Sequence, residues 1–518
     1  MIARVTTVAL VGYDGALVEV ETDLKQGLPA MHIVGMGNKA VEEARERVRS
    51  AITNSFLEFP SRKLIVNLAP AELPKDGAQY DLPIALSILI ASGQLHQIEL
   101  KGALFAGELS LSGELRPIRG VITITEAAKK AGFTEVYVPI GNILQASLVE
   151  NIIVIGVTSL KELFLHLKKE AIITAYEPDV EAIAPPLPLI TIDDVHGQAQ
   201  AKRALQIAAA GRHNILLAGP PGAGKTMLAK ALISLLPPLS KSEQLAVTRL
   251  YSIAGEREHV ITNRPFRSPH HSTSSIALIG GGSKAMPGEI SLAHLGVLFL
   301  DELPEYQRVA LEALRQPLED RAISIARVHG RITYPADFML VATMNPCPCG
   351  YYGDPDKECS CSSVQILSYQ KRLSGPLLDR IDLILNVSKV SHESLLSSIS
   401  LNKKQHLEVF EYIMSAQVVQ KIRYNSSNIY NASLSSADIK KYLTLSPSAR
   451  KLLLSASTKL DLTARSYFKV IKVAQTIADL AESSLKDDPL HDPNSASIRT
   501  IEAIHIAEAL QYRIGSSN

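Results

Sequence analysis

Gly219-Pro220-Pro221-Gly222-Ala223-Gly224-Lys225-Thr226 decides the fold of this chain. The stretch fills the phosphate-loop pattern G-x-x-x-x-G-K-[ST] at every position. The apolar run Ile215-Leu216-Leu217-Ala218 before it reads as a buried strand, and Met227 to Ile233 after it as a helix. Glycines let the backbone bend so that several N–H groups point at phosphate oxygens, and the helix N-terminus adds its positive dipole end. Lys225 is placed to reach the β- and γ-phosphates and Thr226 to ligate Mg²⁺. The motif predicts a nucleoside-triphosphate site on an α/β sheet.

Two later strands complete that reading. Gly296-Val297-Leu298-Phe299-Leu300 runs apolar into Asp301-Glu302, a strand that presents two carboxylates at its C-terminal end, where open α/β sheets bind ligands. Asp301 is expected to hold Mg²⁺ and Glu302 to polarise the attacking water. Phe338 to Met344 is a third apolar run and ends in Asn345, whose amide can hydrogen-bond the γ-phosphate and the water.

At 518 residues the chain exceeds a single core. A prolyl linker at 177–190, with Pro178, Pro185, Pro186 and Pro188, separates a first domain at 1–176 from a βαβ-patterned region at 191–390. From 391 to 518 the pattern is helical. Hydrophobic residues make up 46% and charged residues 20%, a soluble globular balance. No apolar run reaches the ~18 residues of a membrane span, and the N-terminus alternates like a strand, without a leader's apolar core. A cytoplasmic protein without membrane contact is expected. The net charge of +1 is no signature of a nucleic-acid binder, so any DNA contact must come from a local basic lining.

All four cysteines, Cys347, Cys349, Cys359 and Cys361, fall in one short insertion at 346–362. Two C-x-C pairs can supply four thiolates to structural Zn²⁺, and clustering in a cytoplasmic chain favours metal over disulfides. A redox pair or free thiols are the alternatives. Ala322 to Tyr334 alternates, turns at His329-Gly330 and alternates again, a hairpin signal that carries Arg327, His329 and Arg331.

The order phosphate loop, Asp-Glu strand, Asn strand and Leu377-Leu378-Asp379-Arg380-Ile381-Asp382 resembles an AAA+ ATPase core with a helical lid. It is most similar to the branch of the magnesium-chelatase motor subunit and the MCM helicases. The resemblance implies that Arg380 is a finger reaching a neighbour's ATP, that Arg465 in Leu462-Thr463-Ala464-Arg465 is a lid arginine serving the same subunit's nucleotide as Lys225, and that Asp194 to Gln198 cups the adenine side. The alternative for Arg380 is a surface arginine paired with Asp379 or Asp382. A finger acting in trans implies a ring, as in the hexameric relatives. The resemblance also places the hairpin in the ring's pore, with Arg327, His329 and Arg331 on DNA phosphates, contacts that read no sequence.

Arg264 to Ser272 and Pro287 to His294 resemble the ComM (YifB) family of magnesium-chelatase-like proteins, and that resemblance spans the whole chain. Its members are implicated in branch migration of DNA during recombination, notably natural transformation. The first domain, through Pro74 to Asp81 and Gly107 to Pro139, resembles the Lon protease domain, but Gln79 and Ile122 stand where that family has its serine and lysine. Gln cannot form an acyl intermediate and Ile cannot take a proton, so a non-proteolytic copy is expected, as in the RadA recombination proteins. Its expected role is ring assembly or DNA binding, with Lys75 and the 42–50 helix as candidates. The expectation is an ATP- and Mg²⁺-dependent hexameric motor on single-stranded and branched DNA, working beside recombination proteins. The competing class is a protein-remodelling ring that ignores DNA.

Overall fold

Five parallel strands form the sheet that carries the site, in the order Phe266–Arg267, Val297–Leu300, Met339–Met344, Ile215–Ala218, Leu383–Asn386. The computed structural model describes residues 2–35, 39–177, 190–256, 259–282, 285–327, 330–354, 356–389, 405–426, 428–483 and 499–513. The central strands are continuous apolar runs because both faces are covered. Alternation splits their side chains between two cores. Ile215, Leu217, Phe299, Val341 and Leu383 pack with the helix Ala199–Gly211 and the C-terminal helices. Leu216, Leu298, Leu300, Leu340 and Ile384 pack on the other side with Ile290, Ala310 and Leu377. Parallel pairing also puts every strand's C-terminal end on one edge, so Gly219, Asp301 and Asn345 emerge side by side. Gly219 N–H donates to Met344 O at 3.1 Å.

Beyond the sheet, helices Gln405–Tyr424, Pro447–Lys459, Ala464–Ser483 and Ala503–Gln511 form the helical region. A short parallel pair, Thr444–Leu445 with Thr500–Ile501, also lies there, too brief to leave a pattern in the sequence. The linker residues 178–189 lie outside the described residues. Among the described residues no helix is long and apolar enough to cross a membrane.

The first domain is an α+β unit. Strands Ala3–Val11, Asp14–Lys25, Lys63–Ala69 and Ala30–Val34 make one sheet, and Ala103–Phe105, Glu135–Pro139 and Ile153–Val157 a second, parallel one. The helix Asp81–Ala91 is buried nearly throughout. Lys75 does not fit the expected surface role: it is buried, and its ammonium donates to Pro70 O. Gln79 is buried too, its amide donating to Asp76 O, and Ile122 is core.

This domain docks on the region of the five-stranded sheet through the helix Lys241–Ala254. Arg249 lies over the Tyr13 ring at 3.8 Å and pairs with Glu126 at 2.6 Å. Ser252 Oγ accepts from Gly120 N–H and donates to Gln145 Oε1 at 2.8 Å. The expected hairpin is present, Ala322–Arg327 against Gly330–Pro335 with Ala326 opposite Arg331, but Gly330, expected in the turn, pairs with Arg327 in the ladder. It leans on the first domain: Tyr13 meets the Tyr334 ring edge-on at 6.2 Å. Gly12 lies so close to Ile332 that any Cβ would clash. Arg331 is exposed, whereas His329 and the side chain of Arg327 lie outside the described residues.

Candidate active site

The phosphate loop has the backbone its sequence requires. Gly222 and Gly224 both sit at φ +79° with open space beside them, so conformation rather than crowding selects glycine there. Gly219 is different: a Cβ would strike Val387 O at 2.2 Å. The helix Lys225–Ser234 starts directly after Gly224, and Thr226 is exposed at its first turn. Lys225 Nζ donates to Gly219 O at 2.5 Å, Pro220 O at 3.1 Å and Asn345 Oδ1 at 3.0 Å. The lysine is folded onto its own loop, where an arriving phosphate would replace carbonyl oxygens. Burial lowers its pKa, and the charges of Asp301 and Glu302 oppose that shift. Gln198, in the segment expected beside the adenine, donates to Ala223 O at 2.9 Å and Ser388 O at 3.2 Å, tying that segment to the loop.

Thr343, which the sequence reading missed, organises the acidic pair. Its buried hydroxyl donates to Asp301 Oδ1 at 2.5 Å and accepts from Glu302 N–H at 2.9 Å. Glu302 takes φ +50°, a sparsely populated conformation for a non-glycine residue. This turn at the strand end leaves its carboxylate exposed beside the loop. The signal was present in the sequence as a polar residue two positions before Asn345 inside an apolar run.

Asn345 leads straight into the cysteine insertion. Cys347 Sγ lies 3.3 Å from Cys349 Sγ and 3.6 Å from Cys359 Sγ, and all four sulfurs fall within 4.8 Å of one another. Zinc–sulfur bonds of ~2.3 Å in a tetrahedron set sulfurs roughly 3.8 Å apart, so the set fits such an ion and leaves no open position for chemistry. The insertion also touches the phosphate loop. Gly350, at φ +85°, packs so tightly that a Cβ would meet the Pro221 ring at 2.7 Å. On its far side Asp354 pairs with Lys389 at 2.5 Å.

Arg380 and Arg465 come together on one carboxylate, Glu319, at 2.8 and 2.5 Å from Oε1. Neither Asp379 nor Asp382 is the partner of Arg380. Both arginines line a cavity of about 550 Å³ that none of Gly219 to Thr226, Asp301, Glu302 or Asn345 lines. The structure thus groups Arg465 with Arg380 and not with Lys225, beside which it was expected. The reason is the lid's docking. Lys469, one helical turn after Arg465, pairs with buried Asp382 at 2.8 Å, and Ser466 reaches Asp379.

Burial would raise the Asp382 carboxyl, but Lys469 and His213 outweigh it and hold it well below the usual carboxylate range. A depressed folded value stabilises above the unfolded pKa of ~3.9 and is lost as pH falls through the folded value. The wild type is therefore expected to lose more lid stability than Asp382→Asn as pH is lowered from 5 toward 3. Thermal melts of both proteins across that series check the sign.

The geometry is that of a phosphate-loop nucleotide site on a parallel α/β sheet, and the family models place it among magnesium-chelatase-like AAA+ proteins. A family model described as magnesium chelatase, subunit ChlI, matches residues 191–395, its C-terminal counterpart matches 404–490, and the model for subunit ChlI of Mg-chelatase matches 20–142. The competence protein ComM of Haemophilus influenzae is 41% identical over 517 residues, 99% of this chain and 97% of its own length. The YifB protein of Salmonella typhimurium is 40% identical over 522 residues, 99% and 97% of the two chains. The chain belongs to this ComM (YifB) family. A DNA repair protein RadA of Streptococcus pneumoniae is 31% identical over 117 residues, 22% of this chain and 28% of its own.

Proposed function

We propose that the chain is an ATP-driven hexameric ring motor on DNA, a branch-migration helicase of homologous recombination and natural transformation. The observation that carries the motor is the convergence of Asp301, Glu302 and Asn345, at adjacent parallel strand ends, with Lys225 at the start of the helix after the phosphate loop. Lys225 and the loop N–H groups would hold the triphosphate, Thr226 and Asp301 would hold Mg²⁺, and Glu302 would orient the water. Bound Mg²⁺ supplies charge neutralisation between the β- and γ-phosphates. Arg380 would come from the neighbouring protomer. Full-length similarity to a competence protein and the basic hairpin support DNA as the substrate. We read the first domain as a non-proteolytic, Lon-like fold, with Gln79 and Ile122 in place of a serine and a lysine. A protein-remodelling ring is the second reading, favoured by the chelatase family models and by a hairpin braced on the first domain.

Steady-state ATP hydrolysis with and without single-stranded and forked DNA separates the two. A DNA motor is expected to be stimulated, with stimulation reduced in Arg331→Ala and Arg327→Ala. An assembled, active ring that no DNA stimulates would favour the second reading.

The cysteine cluster is read as structural Zn²⁺. Purified protein is expected to carry one zinc per chain by elemental analysis. Chelation under reducing conditions should lower both the melting temperature and ATP turnover, because Asn345 and Pro221 both rest on the insertion. Metal-free protein with unchanged melting and turnover would overturn the zinc reading.

A further inference from the structure

Arg380 is not free to act as a finger in the state the structure shows. Its Nε donates to Arg315 O at 3.1 Å, its Nη1 to Pro376 O at 2.6 Å, and its Nη2 pairs with Glu319 at 2.8 Å. The side chain is only 12% exposed, against 54% for Arg465. A guanidinium with donors on three sides committed within its own chain cannot also present them to a neighbour's phosphate. We propose that Glu319 is a positioning residue for Arg380, a latch that holds it retracted until the nucleotide of an adjoining protomer competes for it. The inference rests on the reading of Arg380 as a finger acting in trans.

Three features support a latch over a fold-stabilising ion pair. Glu319 is 42% exposed, so water screens its carboxylate and weakens what the pair with the more buried Arg380 adds to stability. One oxygen serves both arginines, so its release takes the shared anionic partner from both and leaves Arg380 held by neutral carbonyl oxygens, against which a triphosphate tail competes well. Finally, Glu319 sits on the short helix Arg315–Asp320, which runs through Arg321 at φ +53° into the hairpin strand Ala322–Arg327. Arg321 in turn pairs with Asp337, just past the hairpin's return strand. The latch is thus attached to the root of the hairpin.

The test is ATP turnover by full-length Glu319→Gln, Arg380→Ala and the double variant, with melting temperature and assembly state measured on each. Glu319→Gln keeps the side chain's shape and removes its charge. It is expected to raise basal kcat about two- to fivefold, the change that losing a contact worth up to about 1 kcal/mol to a half-exposed carboxylate would give, while the double variant falls to the level of Arg380→Ala. Glu319→Asp keeps the charge and shortens the reach, and should raise kcat by less. Unchanged or reduced kcat in folded, assembled Glu319→Gln, or in Glu319→Asp if the first variant does not fold, would overturn the latch. Normal turnover by Arg380→Ala would instead overturn the finger reading on which the latch rests.

Discussion

Glu302→Gln is expected to bind ATP as the wild type does and to hydrolyse it at least a hundredfold more slowly. A side chain that orients and deprotonates the attacking group contributes roughly 10²–10⁴ in rate. An amide can still accept a hydrogen bond from water but cannot take its proton. Folding should be untouched, because the carboxylate is exposed and the strained turn is set by the backbone bond to Thr343. Lys225, Thr226 and Asp301 remain in place, so affinity should hold. Phosphate release and fluorescent-nucleotide titration on one preparation measure both quantities. Loss of binding and hydrolysis together would mean that Glu302 is part of the binding site and not the group that acts on water.

The second large effect is on stability. Asp479 is wholly buried in the helix Ala464–Ser483, with Arg423 Nη2 at 2.6 Å and Nη1 at 3.0 Å. Asn431 and Gln475 each donate to it at 2.9 Å. Together they join the Gln405–Tyr424 helix to the lid helix that carries Arg465. Removing one member of a buried pair leaves an uncompensated charge, at a cost of roughly 3–5 kcal/mol. Asp479→Ala should therefore lower the unfolding free energy by about that amount. Glu508→Ala, which breaks the partly exposed pair with Arg203, should cost under about 1 kcal/mol. Denaturant unfolding followed by circular dichroism compares them, and equal losses would contradict the account.

What could be read in advance depended on how local its pattern was. The phosphate loop, the Asp301-Glu302 strand, the hairpin and the four cysteines are each contiguous, and local chemistry alone specifies them. Glu319 carries no such mark. It is one acid in a charged helix, and its role appears only when the Arg380 segment and the lid helix converge on it. Arg423 with Asp479 and Asp382 with Lys469 likewise join segments far apart in the chain. Arg465 shows the same limit from the other side: its motif was legible, but its neighbours are set by how Lys469 and Ser466 dock the lid. Lys75 was a candidate for ring assembly or DNA contact, whereas the fold turns it inward onto Pro70.

ATP turnover at this site is proposed to move DNA. The most direct measurement is displacement of a labelled strand from a branched DNA by the assembled protein, with ATP and Mg²⁺, beside Glu302→Gln. Displacement by the wild type and none by the variant is expected. A wild-type ring that hydrolyses ATP at full rate on that DNA yet leaves every strand in place would contradict it.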